Sequence, residues 1–97
     1  MTELRDDNIR YKELFPVKNC PEQHMRIFIG LAENGDLLYI TESEEGMFTD
    51  IYLKRRFCRI DKQEYAEYLE QARRRGKLEK AIRRGLITLE EAERYCR

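Results

Sequence analysis

A single histidine, His24, stands in this 97-residue chain, so no histidine pair or histidine-based catalytic set can be written from it. No glycine-rich phosphate loop follows a strand-like run, and no nucleophile has a base close to it in sequence. These absences argue against an enzyme. The three cysteines, Cys20, Cys58 and Cys96, are an odd number and cannot all pair within one chain, which excludes a complete disulfide framework. No signal-peptide pattern is present, and no apolar run reaches the roughly 18 residues of a membrane span. The expected setting is the reducing cytoplasm, without membrane contact. Net charge is also missing: 19 Lys and Arg balance 19 Asp and Glu, which argues against an acidic coat over the whole molecule.

What is present is a dense mixture of charge and apolar residues. Charged side chains make up 39% of the chain and the mean hydropathy is −0.80, values near the border of disorder. An apolar content of 41% with clear periodicity favours a fold. A chain of 97 residues supports one modest core, read here as a single domain 1–97 with an N-terminal segment 1–23, an antiparallel sheet 24–60 and a helical region 61–97. The charge is unevenly spread. Residues 1–50 hold 5 Lys/Arg against 11 Asp/Glu, and residues 51–97 hold 14 against 8. Such asymmetry allows internal complementarity, head-to-tail self-association into a homo-oligomer, or separate acidic and basic partner surfaces.

The strongest local signals lie in residues 60–85. Asp61 and Glu64 have capping-box spacing, and Ile60 and Tyr65 stand where a hydrophobic staple would close, so a helix starts at Lys62. Tyr65, Leu69 and Ala72 form its apolar stripe, but Leu78, Ala81 and Ile82 fall on the opposite side of the same wheel. A break at Gly76 resolves the conflict, giving a second helix over about 77–84 that ends at Gly85. Thr88 and Glu91 open a third, with Ile87 stapled to Ala92 and with Leu89, Ala92 and Cys96 on one face.

The first 23 residues are ambiguous. Asp7, Ile9, Tyr11, Leu14 and Phe15 suit a short capped helix, or Ile9, Tyr11 and Phe15 line one side of an extended segment; Pro16 ends either, and 17–23 reads as a loop. From His24 the period becomes two. Met25, Ile27, Ile29 and Leu31 alternate up to Asn34-Gly35, the pair suited to a two-residue type I′ turn. That turn sets Leu31 opposite Leu38 and Ile29 opposite Ile40, leaving Phe28, Ala32, Leu37 and Tyr39 on a second face too apolar to stay bare and open to a partner. Residues 41–46 read as a solvated acidic turn, and 47–60 as a third strand with Ile51, Leu53, Arg55, Phe57 and Arg59 on one face and Tyr52, Cys58 and Ile60 on the other. The fold class is α+β: a three-stranded antiparallel meander followed by two or three short helices packed on one sheet face.

Two sets of charged residues are candidate binding sites. The basic set is Lys54, Arg55, Arg56 and Arg59 on the third strand with Arg73, Arg74, Arg75, Lys77, Lys80, Arg83 and Arg84 around the helix break. With Tyr52 and Phe57 interleaved, it suits phosphate contacts and base stacking. The competing account is helix-dipole complementarity and i,i+4 pairing of Glu70 with Arg74 and Glu79 with Arg83. Glu90, Glu91 and Glu93 belong to a helix start. Cys20 and His24 have Cys-x3-His spacing, but Cys58 and Cys96 are single distant residues, so buried free thiols are favoured over a metal centre, and no metal or cofactor is expected.

Two partial resemblances bear on function. Residues 33–46, ENGDLLYITESEEG, are similar to the sheet of small phage anti-CRISPR inhibitors of an RNA-guided nuclease, which also place helices after a three-stranded sheet. There acidic residues imitate DNA, and the resemblance implies that role for Glu42, Glu44, Glu45 and Asp50. Residues 77–97 resemble a short C-terminal helical tail motif in which a Gly-Leu/Ile-Ile-Thr turn precedes an acidic helix, with Ala92 where that family has Phe. This implies a docking or oligomerisation element. The expectation is a small non-enzymatic binding protein, a phage-type inhibitor or regulator of a larger protein or protein–nucleic-acid complex. The alternative is direct nucleic-acid binding through the basic half.

Overall fold

A computed structural model describes residues 2–4 and 8–96, with side chains from residue 8 onward. In order the elements are β1 (Thr2–Leu4), β2 (Tyr11–Cys20), a 3-10 turn (Pro21–Gln23), β3 (Met25–Ala32), β4 (Leu37–Glu45), β5 (Tyr52–Ile60), α1 (Lys62–Arg74), α2 (Lys77–Arg83) and α3 (Leu89–Glu93). The strands form one antiparallel sheet of order β1-β5-β4-β3-β2, four long strands with the short β1 set against Phe57, Cys58 and Arg59. The α+β class and the helices on one sheet face are as expected; the sheet is larger than the expected meander.

The helices follow their local signals. The Asp61 carboxylate accepts the Glu64 backbone N–H at 2.8 Å, and the Thr88 hydroxyl accepts that of Glu91 at 3.1 Å. Gly76 and Gly85 take φ of 72° and 74°, a left-handed conformation that costs glycine little. At the second, Gly85 N–H donates to Ile82 and Leu86 N–H to Ala81, the paired bonds that close a helix C-terminus. With the axis broken at Gly76, Tyr65, Leu69 and Ala72 of α1 and Leu78 and Ala81 of α2 all reach one core, completed by Ile87 and Ala92. Leu89 departs from expectation: it is half exposed. The five-residue α3 is too short to bury a full stripe.

Residues 11–20 are strand, as in the extended alternative, but its residues do not share one side: Phe15 lies in the helix-side core while Ile9 and Tyr11 pack on the opposite face; nor does Pro16 end the strand, and 17–20 are not loop. Against β3 the register slips between Glu13 and Phe15 and again between Pro16 and Lys18. Each slip adds a bulge residue, Leu14 and Val17, so that Leu14, Phe15 and Val17 are all buried on the helix side. These bulges erase the alternation by which a strand is read. Pro16 is tolerated because β2 is an edge strand, where a missing N–H breaks no ladder. Asp7, the expected cap of the alternative helix, lies outside the described residues.

The β3–β4 turn also differs. Ala32 N–H donates to the Asp36 carbonyl and Gly35 N–H to that of Ala32, with Gly35 at φ 96°. This is a three-residue loop, 33–35, rather than a type I′ turn, and Asn34 Oδ1 accepts the Asp36 N–H at 3.0 Å. The pairing moves by one residue, to Leu31 with Leu37, Ile29 with Tyr39 and Phe28 with Ile40. A one-residue slip exchanges the faces of a whole strand. Leu37 and Tyr39 therefore join the helix-side core, while Leu38 and Ile40 join Phe28, Ala32 and Phe57 on the other side. That second face is no partner surface. Its five apolar residues are buried, with Ile9 and Tyr11 packed on them, the Tyr11 ring 5.4 Å from Phe57 and 6.0 Å from Phe28.

Tyr65 joins three elements of the main core. It is fully buried, its ring meets Phe15 of β2 edge-on at 5.6 Å and Tyr95 at 6.0 Å, and its hydroxyl donates to the Ala92 carbonyl of α3. Burial is the largest cause raising its pKa well above the ordinary phenol value of 10.0. The neutral form is the one favoured by folding, so its contribution is complete below the unfolded pKa and is lost as pH rises through the folded one. Tyr65→Phe, which strands a buried carbonyl, is expected to cost about 1–2 kcal/mol in urea unfolding at pH 7. The wild-type should lose stability more steeply than the variant above about pH 10; equal slopes would show that Tyr65 is not the titrating group.

Candidate functional site

The expected acidic and basic surfaces of the sheet lie side by side and pair with each other. In the β4–β5 register Glu42 stands opposite Arg55, and the Arg55 Nε donates to Glu42 at 2.7 Å. Arg56 lies 3.2 Å from Glu45, Arg59 3.2 Å from Asp36, and His24 3.4 Å from Glu44. The hydrogen bond to Glu42 is the main cause raising the Arg55 pKa. Lys54, opposite Ser43, is half buried. Phe57 is buried and cannot stack a base, while Tyr52 is exposed at the far end of β5. Much of the charge asymmetry between the halves is thus internal complementarity. Of the acidic set only Asp50 has neither an arginine nor a histidine partner among the described residues, and it sits in the β4–β5 loop.

The helical arginines divide into two groups. Arg73 bridges Glu70 of its own helix and Glu93 of α3, and Arg74 completes the expected i,i+4 pair with Glu70 at 3.3 Å. Among the described residues Arg83 makes no such pair with Glu79. Arg75 closes α1, its N–H donating to Gln71, and with Lys80, Arg83 and Arg84 its side chain is exposed without an acidic partner among the described residues. The two basic sets do not form one surface: β4 and β3 separate β5 from β2, the strand on which α2 packs.

A feature not foreseen lies at the β4–β5 connection. Residues 41–45 are not a turn but the end of β4, and the hairpin runs beyond the last β3 pair, Met25 with Ser43, to Glu44 with Leu53 and Glu45 with Tyr52. The turn itself, residues 46–51, is apolar. Met47 is 71% exposed and Phe48 87%, followed by Ile51, Tyr52 and Leu53, each more than half exposed. Gly46 is required, because a Cβ there would stand 2.0 Å from the Asp50 carbonyl oxygen. Phe48 has φ 55°, a left-handed conformation that costs a residue with a Cβ about 1–2 kcal/mol. Sequence reasoning treated this stretch as the start of a strand. The readable signal was Gly46 followed by Met-Phe at the junction of two β-leaning runs.

The cysteines form no disulfide and are dispersed, Cys20 at the end of β2, Cys58 in β5 and Cys96 beyond α3. Among the described residues no three metal-ligating side chains converge. A hollow of about 590 Å³ is an open trough between α1 and α3 lined by Glu70, Arg73, Glu90, Glu93, Arg94 and Cys96. Glu70, Arg73 and Glu93 of the trough pair with one another, and burial raises the Cys96 pKa, so the thiol stays protonated at neutral pH. Among the described residues no helix is long and apolar enough to cross a membrane. No family model, curated protein or solved structure matches the chain.

The cross-strand charge pairing has a measurable consequence. A double-mutant cycle of Glu42→Gln and Arg55→Gln is expected to give a coupling of about 0.5–1 kcal/mol in urea unfolding, falling in high salt. Zero coupling at low salt would mean that the two charges act independently and are available to outside partners.

Proposed function

We propose that the chain is a small non-enzymatic binding protein that acts on a larger protein through the apolar tip of its β4–β5 hairpin, in the manner of a phage-type inhibitor or regulator. The observation that carries this reading is Phe48, 87% exposed and held in an unfavourable backbone conformation at the end of a projecting hairpin. Folding gains nothing from exposing five adjacent large apolar residues, and strain retained at an exposed site points to use there. Aromatic anchors entering a partner's pocket dominate binding energy at protein interfaces.

The acidic residues favour a protein as the occupant over a lipid surface. Glu44, Glu45 and Asp50 border the tip, and their charge would be repelled by anionic headgroups. A pocket with an apolar floor and a basic rim suits both features. In this reading Glu42, Glu44, Glu45 and Asp50 serve as rim contacts rather than as a bare imitation of DNA, since Glu42 and Glu45 already pair with arginines of the chain and Glu44 with His24. Three cysteines outside any disulfide suit action in a reducing cytoplasm.

The test separates binding from folding. Phe48→Asn places a residue that tolerates the left-handed conformation, so the variant is expected to be about 1 kcal/mol more stable, a rise in Tm of a few degrees. A photo-crosslinker at Met47 should link a discrete protein in the native host, and affinity for that protein should fall at least about 30-fold in Phe48→Asn, the loss expected of an anchor residue. Unchanged affinity, or a Tm lowered by the substitution, would show that Phe48 is a structural residue and that the tip is not the docking element.

A further inference from the structure

We propose that the groove between α2 and the edge strand β2 binds the sugar-phosphate backbone of nucleic acid, independently of the hairpin tip. Residues 75–84 contain Arg75, Lys77, Lys80, Arg83 and Arg84 against one acid, Glu79. None of these five cations makes an ion pair among the described residues, in contrast to Arg55, Arg56, Arg59, Arg73 and Arg74. Five cations without an acidic partner among the described residues are therefore gathered within ten residues, in and beside one short helix.

The helix meets a hollow of suitable size and polarity. Lys77, Lys80 and Arg84 line one side of a cavity of about 90 Å³, and Pro16 and Asn19 of β2 line the other. That volume is about three times the ~30 Å³ share of a water molecule, room for a phosphate group. Glu13 is the acid in the wall, and it is neutralised by Arg26, whose guanidinium also lies 4.5 Å above the Phe28 ring. The Lys77, Lys80 and Arg84 charges consequently act on whatever enters. Asn19 adds a neutral side chain able to donate to a phosphate oxygen.

Lys77, Lys80 and Arg84 stand at i, i+3 and i+7, so the three cations share one helix face over a rise of about 10.5 Å. Among the described residues no aromatic side chain lines the groove, so no base is stacked there. The chemistry is backbone contact without sequence readout. A carboxylate-rich protein shares the sign of the charge and serves as the competing outcome.

The experiment is fluorescence anisotropy of a labelled mixed-sequence duplex titrated with the full chain. Neutralising three phosphates gives a log–log salt slope of about −2.7, so micromolar binding at about 50 mM salt should weaken about 40-fold by 200 mM. The triple variant Lys77→Gln, Lys80→Gln, Arg84→Gln should lose at least about tenfold in affinity and most of that slope. Should it fold poorly by circular dichroism, the exposed single variant Lys80→Gln should reduce the slope by about 0.9. Arg73→Gln with Arg74→Gln, and separately Phe48→Asn, should change neither quantity. The proposal is overturned by no binding at the lower salt, by equal loss in the Arg73/Arg74 variant, or by poly-glutamate competing as well as DNA at equal charge. Because Phe48→Asn leaves this groove intact, failure here and failure of the tip reading are told apart.

Discussion

The register of the β3–β4 hairpin is the constraint from which the remaining arrangement follows. Three loop residues, with Gly35 in a left-handed conformation, set Leu31 against Leu37 and so decide which face of the sheet each side chain of β4 takes. Strand β5 pairs on β4, Leu37 with Ile60 and Glu42 with Arg55, and its side chains follow the faces of β4. A hairpin closed one residue differently would carry Leu38 and Ile40 to the helix side and leave the Tyr11–Phe28–Phe57 cluster without two of its members. The sheet supports an apolar core on both faces because this loop sends each alternating set to its own side.

What remains after pairing defines the surfaces open to partners. Cross-strand pairs satisfy much of the charge on β4 and β5, and α1 and α3 share Arg73 through Glu70 and Glu93. The two features left over differ in kind. One is apolar and projects from the sheet at residues 46–53; the other is cationic and concave beside β2. A binding protein with both can grip a protein by an anchor and an adjacent polyanion by charge, two interactions that respond differently to salt.

The helical third was legible because its signals are short-range. A cap and the N–H it accepts lie three residues apart, as Asp61 and Glu64 do, and the stripe reversal at Gly76 follows from the helical period alone. Strand β2 was not legible, since Leu14 and Val17 are bulge residues and a bulge destroys the alternation that identifies a strand. The parity of β5 was read correctly, with Phe57 and Arg59 on one side and Cys58 and Ile60 on the other, because no bulge interrupts it. The apolar tip was missed: Met47 to Leu53 is a plausible strand by composition, and only the path of the chain leaves those side chains in solvent.

By itself the sequence determined the helix caps and breaks, the face assignment within β5 and the number of charges of each sign. Each depends on hydrogen bonds or periodicities spanning a few residues, where chain connectivity already holds the groups together. The tertiary structure decided which charges cancel and which stay free. Arg55 is thirteen residues from Glu42 and Lys12 is seventy-nine from Glu91, so their meeting depends on register and packing that no local pattern specifies. For the same reason, equally basic runs in β5 and α2 ended in different states, one mostly paired across the sheet and the other facing solvent.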